Sequence, residues 1–363
     1  MSFEQARALF PVLERIAYLN AGTFGPLARP TLEAVAARQA EEAEQGRGGR
    51  AYFEGVLALR ERVRAKLAAQ VGVEPEQVAL TTSTTDGCNI VLAGLRLGPD
   101  DEVVTTDREH FGLLGALGVC PARVRVAEIS GRPAAQALEL IRAEITPRTR
   151  LIALQHVSWV TGHVLPVHEL REETGLPVLV DGAQSVGAID VRASAFEYVT
   201  ISGQKWLCGP DSTGALVVRE PESLAVLAPS YFGQDGYERD GDFRPKEGAA
   251  RFDTGWLPTP SLAGLEAALD VHPPWRFERA AAMAARCRAL LAERFDVVTE
   301  PGHATLVSIR PESDPAALVL DLHGAGVVVR DLPGTGLLRV SCGWWTSDDD
   351  LERLLAALAA RTA

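Results

Sequence analysis

The chain predicts an α/β fold: a large domain with a mostly parallel seven-stranded sheet covered by helices, then a smaller α+β lobe. Three observations carry this. Seven short apolar segments alternate with helical patterns between about residues 78 and 218, the rhythm of repeated βαβ units. Four of those segments end in hydroxyl, imidazole, carboxylate or amine side chains, where open α/β sheets gather ligand-binding groups. From about residue 261 the order changes to two helices, a short sheet and a closing helix.

In chain order, residues 31–45 and 52–70 read as amphipathic helices. In the second, Leu57, Val63 and Leu67 form the inner side, with Arg60, Arg62, Arg64 and Lys66 elsewhere. The strands are Val78–Thr82, Glu102–Thr106, Val124–Ile129, Leu151–Gln155, Pro177–Asp181, Tyr198–Ser202 and Gly214–Val218, each rich in β-branched residues. Helical spacing falls at Asp86–Leu95, Phe111–Leu117, Ala134–Ile145 and Val167–Thr174. Residues 230–260 are rich in Gly, Pro, Asp and Arg and read as a long loop, which in a compact chain serves function or an interface. Helices at 261–270 and 276–294 follow, then strands Thr305–Ile309, Val327–Arg330 and Leu337–Ser341 and a helix at 347–361. This divides the chain into a large domain over 15–260 and a small one over 261–363 joined by residues 1–14.

With 363 residues the chain suffices for those two units. Apolar and charged fractions of 47% and 23% are those of an ordinary soluble globule. A net charge of −12 argues against phosphate-backbone binding, and the single Gly46-Arg47-Gly48-Gly49-Arg50 patch beside three glutamates reads as a loop. No apolar run reaches the ~20 residues that span a bilayer, and the amino terminus lacks a signal-peptide pattern. Five scattered cysteines without a CxxC pair point to reduced thiols in a cytoplasm rather than a zinc site.

The chemistry concentrates at strand ends. Lys205, in Ser202-Gly203-Gln204-Lys205-Trp206, follows a buried strand on a tight turn. Lysine there is usually a solvated loop residue, but in a half-dry pocket its amine becomes a nucleophile toward an aldehyde. Asp181 closes Val178-Leu179-Val180. It reads either as a helix N-cap for Ala183–Ala188 or as the partner of a protonated ring nitrogen in an electron-accepting cofactor. Thr81 through Asn89, containing Ser83, Thr84 and Thr85, stands between a strand and a helix. It is a cap cluster or an anion site. His110, after the next strand, is a packed or capping residue, or one that stacks on a planar ring. Together the four are hard to explain as independent caps.

The order Thr84-Thr85, Glu109-His110, Asp181-Gly182-Ala183-Gln184 and Ser202-Gly203-Gln204-Lys205 resembles the class V aminotransferase family of fold-type I pyridoxal phosphate enzymes, from Tyr18-Leu19-Asn20 to the last helix. That family includes cysteine desulfurases and isopenicillin N epimerase-like proteins. The resemblance implies Lys205 as the cofactor-bearing lysine, Asp181 on the ring nitrogen, Gln184 on the ring hydroxyl and His110 stacked on the ring. It places Ser83, Thr84, Thr85, Ser202 and Gln204 around the phosphate, and Arg339 in Leu338-Arg339-Val340-Ser341 on the substrate carboxylate, a task suited to its planar fork. Asn20 and Trp159 join the substrate side. It also implies a homodimer with shared sites, in which Arg251-Phe252-Asp253-Thr254-Gly255-Trp256 reaches the partner's phosphate.

The chain departs from that pattern in places. Trp159 stands where relatives often carry an Asn that helps position cofactor or substrate, and with only one N–H donor it cannot replace that residue's hydrogen bonds. Gln204 replaces the usual His before the lysine, and Trp256 replaces a phosphate-binding Thr. Trp159 and Trp256 line the pocket or are packed core. Cysteine desulfurases carry a loop thiol shortly before the carboxylate arginine; here Arg330 through Leu338 contains none. The expected activity is therefore a β-eliminating lyase acting on an amino acid, with aminotransferase or epimerase as the alternatives. A cofactor-binding protein that has lost turnover is a further reading. A nicotinamide dehydrogenase would need a G-x-G-x-x-G after the first strand, which Thr81–Asn89 does not supply.

Overall fold

A computed structural model describes residues 1–236, 239 and 241–360. Its large sheet is built from β1 (Val78–Thr81), β2 (Glu102–Thr106), β3 (Arg123–Ala127), β4 (Thr149–Gln155), β5 (Val178–Asp181), β6 (Tyr198–Ser202) and β7 (Gly214–Val218). Their order is β1-β7-β6-β5-β4-β2-β3, parallel except for β7, which runs against both neighbours. The central strands are buried on both faces, as continuous apolar runs require. The strand expected at Val124–Ile129 starts one residue earlier and stops at Ala127. The helix expected at Ala134–Ile145 is a 3-10 turn over Ala134–Gln136 and an α-helix over Ala137–Ala143.

Helices α1 (Arg29–Gln45), α2 (Gly49–Val71), α3 (Thr84–Gly94) and α4 (Phe111–Val119) include two that cap the site. In α2 Val63 and Leu67 face inward as expected and Leu57 is half-buried, but the inner side is wider than expected. Val56, Leu59, Val63 and Leu67 are buried, and so are Arg60 and Arg64. Those guanidiniums go inward because Asp253 waits there. It accepts from Arg60 at 2.8 Å, from Arg64 at 2.9 and 3.1 Å and from the Leu80 backbone N–H at 2.8 Å. A buried charge is tolerated when paired and fully hydrogen-bonded in this way. The cluster fixes the 251–256 segment to β1.

Helix α5 (Thr259–Ala268) begins at the expected domain boundary, yet Leu262 and Leu265 on it, and Leu269 after it, join the large-sheet core. The small lobe's own packing starts at the helix Arg276–Ala292. Its sheet holds β8 (Leu306–Arg310), β9 (Arg330–Leu332) and β10 (Leu337–Ser341), all antiparallel, with a short edge at Asp296–Val297. The strand expected at Val327–Arg330 is split: Val327–Val328 pairs in parallel with Ala17–Tyr18, and Arg330 opens β9. The helix Pro315–Gly324 was legible in Asp314-Pro315, an N-cap followed by a proline at the first helical position. The last helix runs over Asp348–Ala359; its expected extension to 361 lies outside the described residues.

Candidate active site

The site is assembled from strand ends of the large sheet and one hairpin of the small lobe. At the end of β1 the chain turns into α3, and Ser83 caps that helix by accepting from the Asp86 N–H at 3.3 Å. Thr84 and Thr85 occupy the first turn, where backbone N–H groups lack intrahelical acceptors and the dipole favours an anion. Replacing Ser83 by Ala is expected to cost about 1 kcal/mol of stability, and thermal unfolding of the purified variant checks it.

After β2, His110 caps α4, its Nδ1 accepting from the Gly112 N–H at 3.2 Å. That bond leaves the ring proton on Nε2. Burial, reinforced by the nearby Lys205 ammonium, holds this imidazole below its ordinary pKa. The preceding Glu109 is buried and accepts from Thr106 Oγ1 at 2.6 Å and from the Gln155 N–H at 2.7 Å. Burial raises its carboxyl to about 8, so it is protonated at neutral pH. Beyond β4, Gln155 Oε1 accepts from the Trp159 backbone N–H at 2.9 Å. Trp159 meets His110 edge to face, with centroids 5.2 Å apart.

Asp181, at the end of β5, does not cap a helix, since residues 183–188 form turns. Its Oδ1 accepts from the Ala183 N–H at 3.0 Å. Gly182 is required there: a Cβ would lie 2.2 Å from the Thr200 carbonyl oxygen. Gln184 is engaged at both ends of its amide, donating to Gly22 O at 2.8 Å and accepting from Trp206 Nε1 at 3.0 Å. The turn after β6 carries Gln204 and Lys205 against the N-terminal segment, with the Gly25 N–H donating to Gln204 O at 2.8 Å. Burial lowers the Lys205 ammonium to about 8, against the opposing pull of Asp181.

From the small lobe, β9 and β10 place Arg330 directly opposite Arg339. Arg339 donates to Trp159 O at 2.9 Å and to Thr23 Oγ1 at 3.3 Å, and Arg330 donates to the same hydroxyl at 3.1 Å. Neither forms an ion pair with a carboxylate among the described residues. Burial and the adjacent Arg330 press Arg339 down from its usual pKa, though a guanidinium stays charged.

These groups enclose a cleft of about 210 Å³ lined by Ser83, Thr84, Thr85, His110, Trp159, Gln184, Ser202, Gln204, Lys205 and Arg339, with Asp181 in a narrow gap beneath. Gly22, Thr23 and Arg330 complete the lining and were missed from sequence. Arg330 had a signal: a Pro-Gly-Thr-Gly turn between two short strands pairs residues 330 and 339 across a hairpin. Two expected residues are elsewhere. Asn20 lies behind the lining, its Oδ1 accepting from Thr23 Oγ1 at 2.9 Å. Trp256 is 61% exposed, stacked on Tyr231, and outside its own chain's cleft. A larger cavity of about 520 Å³, lined partly by Arg108, Val160, His163 and Thr335, holds none of the four strand-end groups.

The donor set suits a planar, phosphate-bearing aldehyde. One amine, one carboxylate and one helix N-terminus converge, and Trp159 Nε1, Gln204 Oε1 and Arg339 Nε are enclosed without a protein partner. Such orphaned polar atoms beside a cleft call for a ligand.

The model of the class-V aminotransferase family matches residues 23–318. The isopenicillin N epimerase of Amycolatopsis lactamdurans is 31% identical, over 94% of each chain. A probable cysteine desulfurase of Methanothermobacter thermautotrophicus is 29% identical, over 74% of this chain and 70% of that one. Among solved structures, the cystine C–S lyase C-DES with its reaction product cysteine persulfide is 28% identical with a TM-score of 0.87, covering 96% of this chain and 99% of that one.

Proposed function

Because the chain belongs to the aminotransferase class-V family, we propose that it is a lyase that breaks a carbon–sulfur bond in an amino acid without passing sulfur to a protein thiol. It is a pyridoxal phosphate enzyme, and the bound cofactor supplies a protonated ring as electron sink. One observation carries the reading that no protein thiol takes up the sulfur: the hairpin from Arg330 to Arg339 closes through Pro333-Gly334-Thr335-Gly336, and no cysteine lines the cleft among the described residues. Cys342, which follows the hairpin, is buried, and its hydrogen bond with Cys287, reinforced by burial, raises its thiol well above the ordinary value. The likeness to a cystine C–S lyase supports the same reading.

The residues divide the work as follows. Arg339 and Arg330, bridged by Thr23, bind and orient the substrate carboxylate. Nζ of Lys205, held neutral more readily by burial, takes the Cα proton. The Cβ–S bond then breaks, the sulfur leaves with the electron pair, and water releases pyruvate and ammonia. Asp181 holds the ring-nitrogen proton, and Ser83, Thr84, Thr85, Ser202 and Gln204 hold the phosphate. Trp256, exposed on its own chain, reaches a second copy's site in a homodimer. Five unpaired cysteines suit a reducing cytoplasm.

The similarity to isopenicillin N epimerase favours a second reading, epimerisation, which shares the Cα deprotonation. Incubation with cysteine, cystine and cysteine S-conjugates discriminates. Pyruvate with ammonia supports the lyase; loss of optical purity without release overturns it, as does exchange that requires a keto acid. Uptake of pyridoxal phosphate by apoprotein is expected to accelerate with pH and level off above about 8, because only the neutral amine attacks an aldehyde. Stopped-flow absorbance across pH 6–10 checks this; a rate still rising at pH 10 contradicts a depressed Lys205.

A further inference from the structure

The structure carries a buried donor that the roles above leave unused, the indole N–H of Trp159. Its Nε1 is sealed from solvent and has no acceptor in the protein. Trp159 lines the main cleft beside Lys205 and Arg339, and it also lines the narrow gap formed with His110, Gln155, Asp181 and Gln184. A planar ring held above Asp181 would therefore have Trp159 among the residues around it. Leaving such a donor unpaired costs about 1–3 kcal/mol, so its retention in a cleft wall implies an acceptor brought by the ligand.

The neighbouring donor is already half committed. Gln184, expected on the ring hydroxyl, spends one N–H on Gly22 O and holds its carbonyl on Trp206 Nε1. The indole, in contrast, is fixed by its backbone and by packing. The Trp159 N–H donates to Gln155 Oε1, its carbonyl accepts from Arg339, and its ring meets His110 at 88°. A residue whose main chain is held at two points and whose ring packs at a third is preorganised to donate along one direction.

We propose that Trp159 Nε1–H donates to the ring oxygen of the bound cofactor. Trp159 is thus a positioning residue that holds the ring and favours its oxygen as the anion. This rests on the pyridoxal phosphate reading above. It also couples the two halves of the site, because the same residue's carbonyl fixes Arg339.

The test uses full-length holoprotein without substrate. Trp159→Phe keeps an aromatic ring but loses the N–H together with part of the indole's volume; Trp159→Asn restores a donor without the bulk, so only recovery in Asn assigns the effect to the N–H. For each, the pH midpoint of the visible cofactor absorption and the rate of cofactor loss to a phosphate-buffer trap are measured. The Phe variant is expected to raise the midpoint by about one unit and to release cofactor about tenfold faster, with Asn returning both toward wild type. A Phe variant indistinguishable from wild type in both readouts overturns the assignment, as does a change seen only after an amino acid is added. Wild-type protein that takes up no pyridoxal phosphate instead refutes the cofactor reading itself, a separate outcome.

Discussion

Replacing Lys205 by Met abolishes borohydride-fixable attachment of pyridoxal phosphate and lowers turnover on the order of 10⁴-fold, the combined effect of losing a nucleophile and a general base. Peptide mass mapping of the reduced wild type places the adduct on Lys205. The same substitution is expected to stabilise the apoprotein. The buried ammonium titrates at about 8 in the fold, against about 10.5 in the unfolded chain. Below pH 8 both states are protonated and the folded state carries the whole desolvation cost, about 3 kcal/mol. Between pH 8 and 10.5 the unfolded chain binds more protons, so wild-type stability rises with pH and the variant's advantage shrinks. Thermal melts at pH 7 and pH 10 read this directly. A Met variant less stable than wild type at pH 7 would show that the lysine is not desolvated as the fold implies.

Arg339→Ala is expected to raise KM for α-carboxylate substrates by roughly 30-fold or more, the 2–5 kcal/mol typical of a buried charge pair broken on one side, with a smaller change in kcat. Stability separates binding from structure here. Arg339 is buried with no ionic partner among the described residues and a lowered pKa, so its removal relieves a cost that its hydrogen bonds to Trp159 O and Thr23 Oγ1 offset only in part and a bound carboxylate completes. The variant apoprotein should melt no lower than wild type. Arg339→Lys keeps the charge but loses the planar fork and recovers only part of the affinity. An unchanged KM assigns the carboxylate elsewhere, with Arg330 the next candidate.

Most of the architecture was legible because parallel strands buried on both faces announce themselves as uninterrupted apolar runs, and all seven were located within two or three residues at either end. The groups brought to the cleft from the large sheet were equally visible, each standing at a strand's carboxyl end. What stayed hidden depended on distant partners. Nothing local in α2 shows that Arg60 and Arg64 turn inward; their reason is Asp253, almost 200 positions away. Thr23 becomes part of the cleft only because Ala17–Tyr18 pairs with the small lobe. Gln184 lines the cleft, but one of its N–H groups and its carbonyl are bound by Gly22 and Trp206, contacts that no spacing rule encodes.

The amino-terminal segment has a mechanical consequence. Leu19 and Asn20 are stitched to Val328 and Ser341 of the small lobe, whereas Gly25 is tied to the lysine turn of the large one. Both guanidiniums thus ride on the small lobe and the reactive amine on the large one, with the hydroxyl that the guanidiniums share on the link between them. Any sliding between the lobes has to be absorbed within Ala21–Phe24, because a side chain at Gly25 would collide with the Lys205 carbonyl oxygen. This short tether behaves as a gauge block: it sets how far the carboxylate grip can travel from the proton-abstracting nitrogen, and so fixes the length of substrate that both can hold at once.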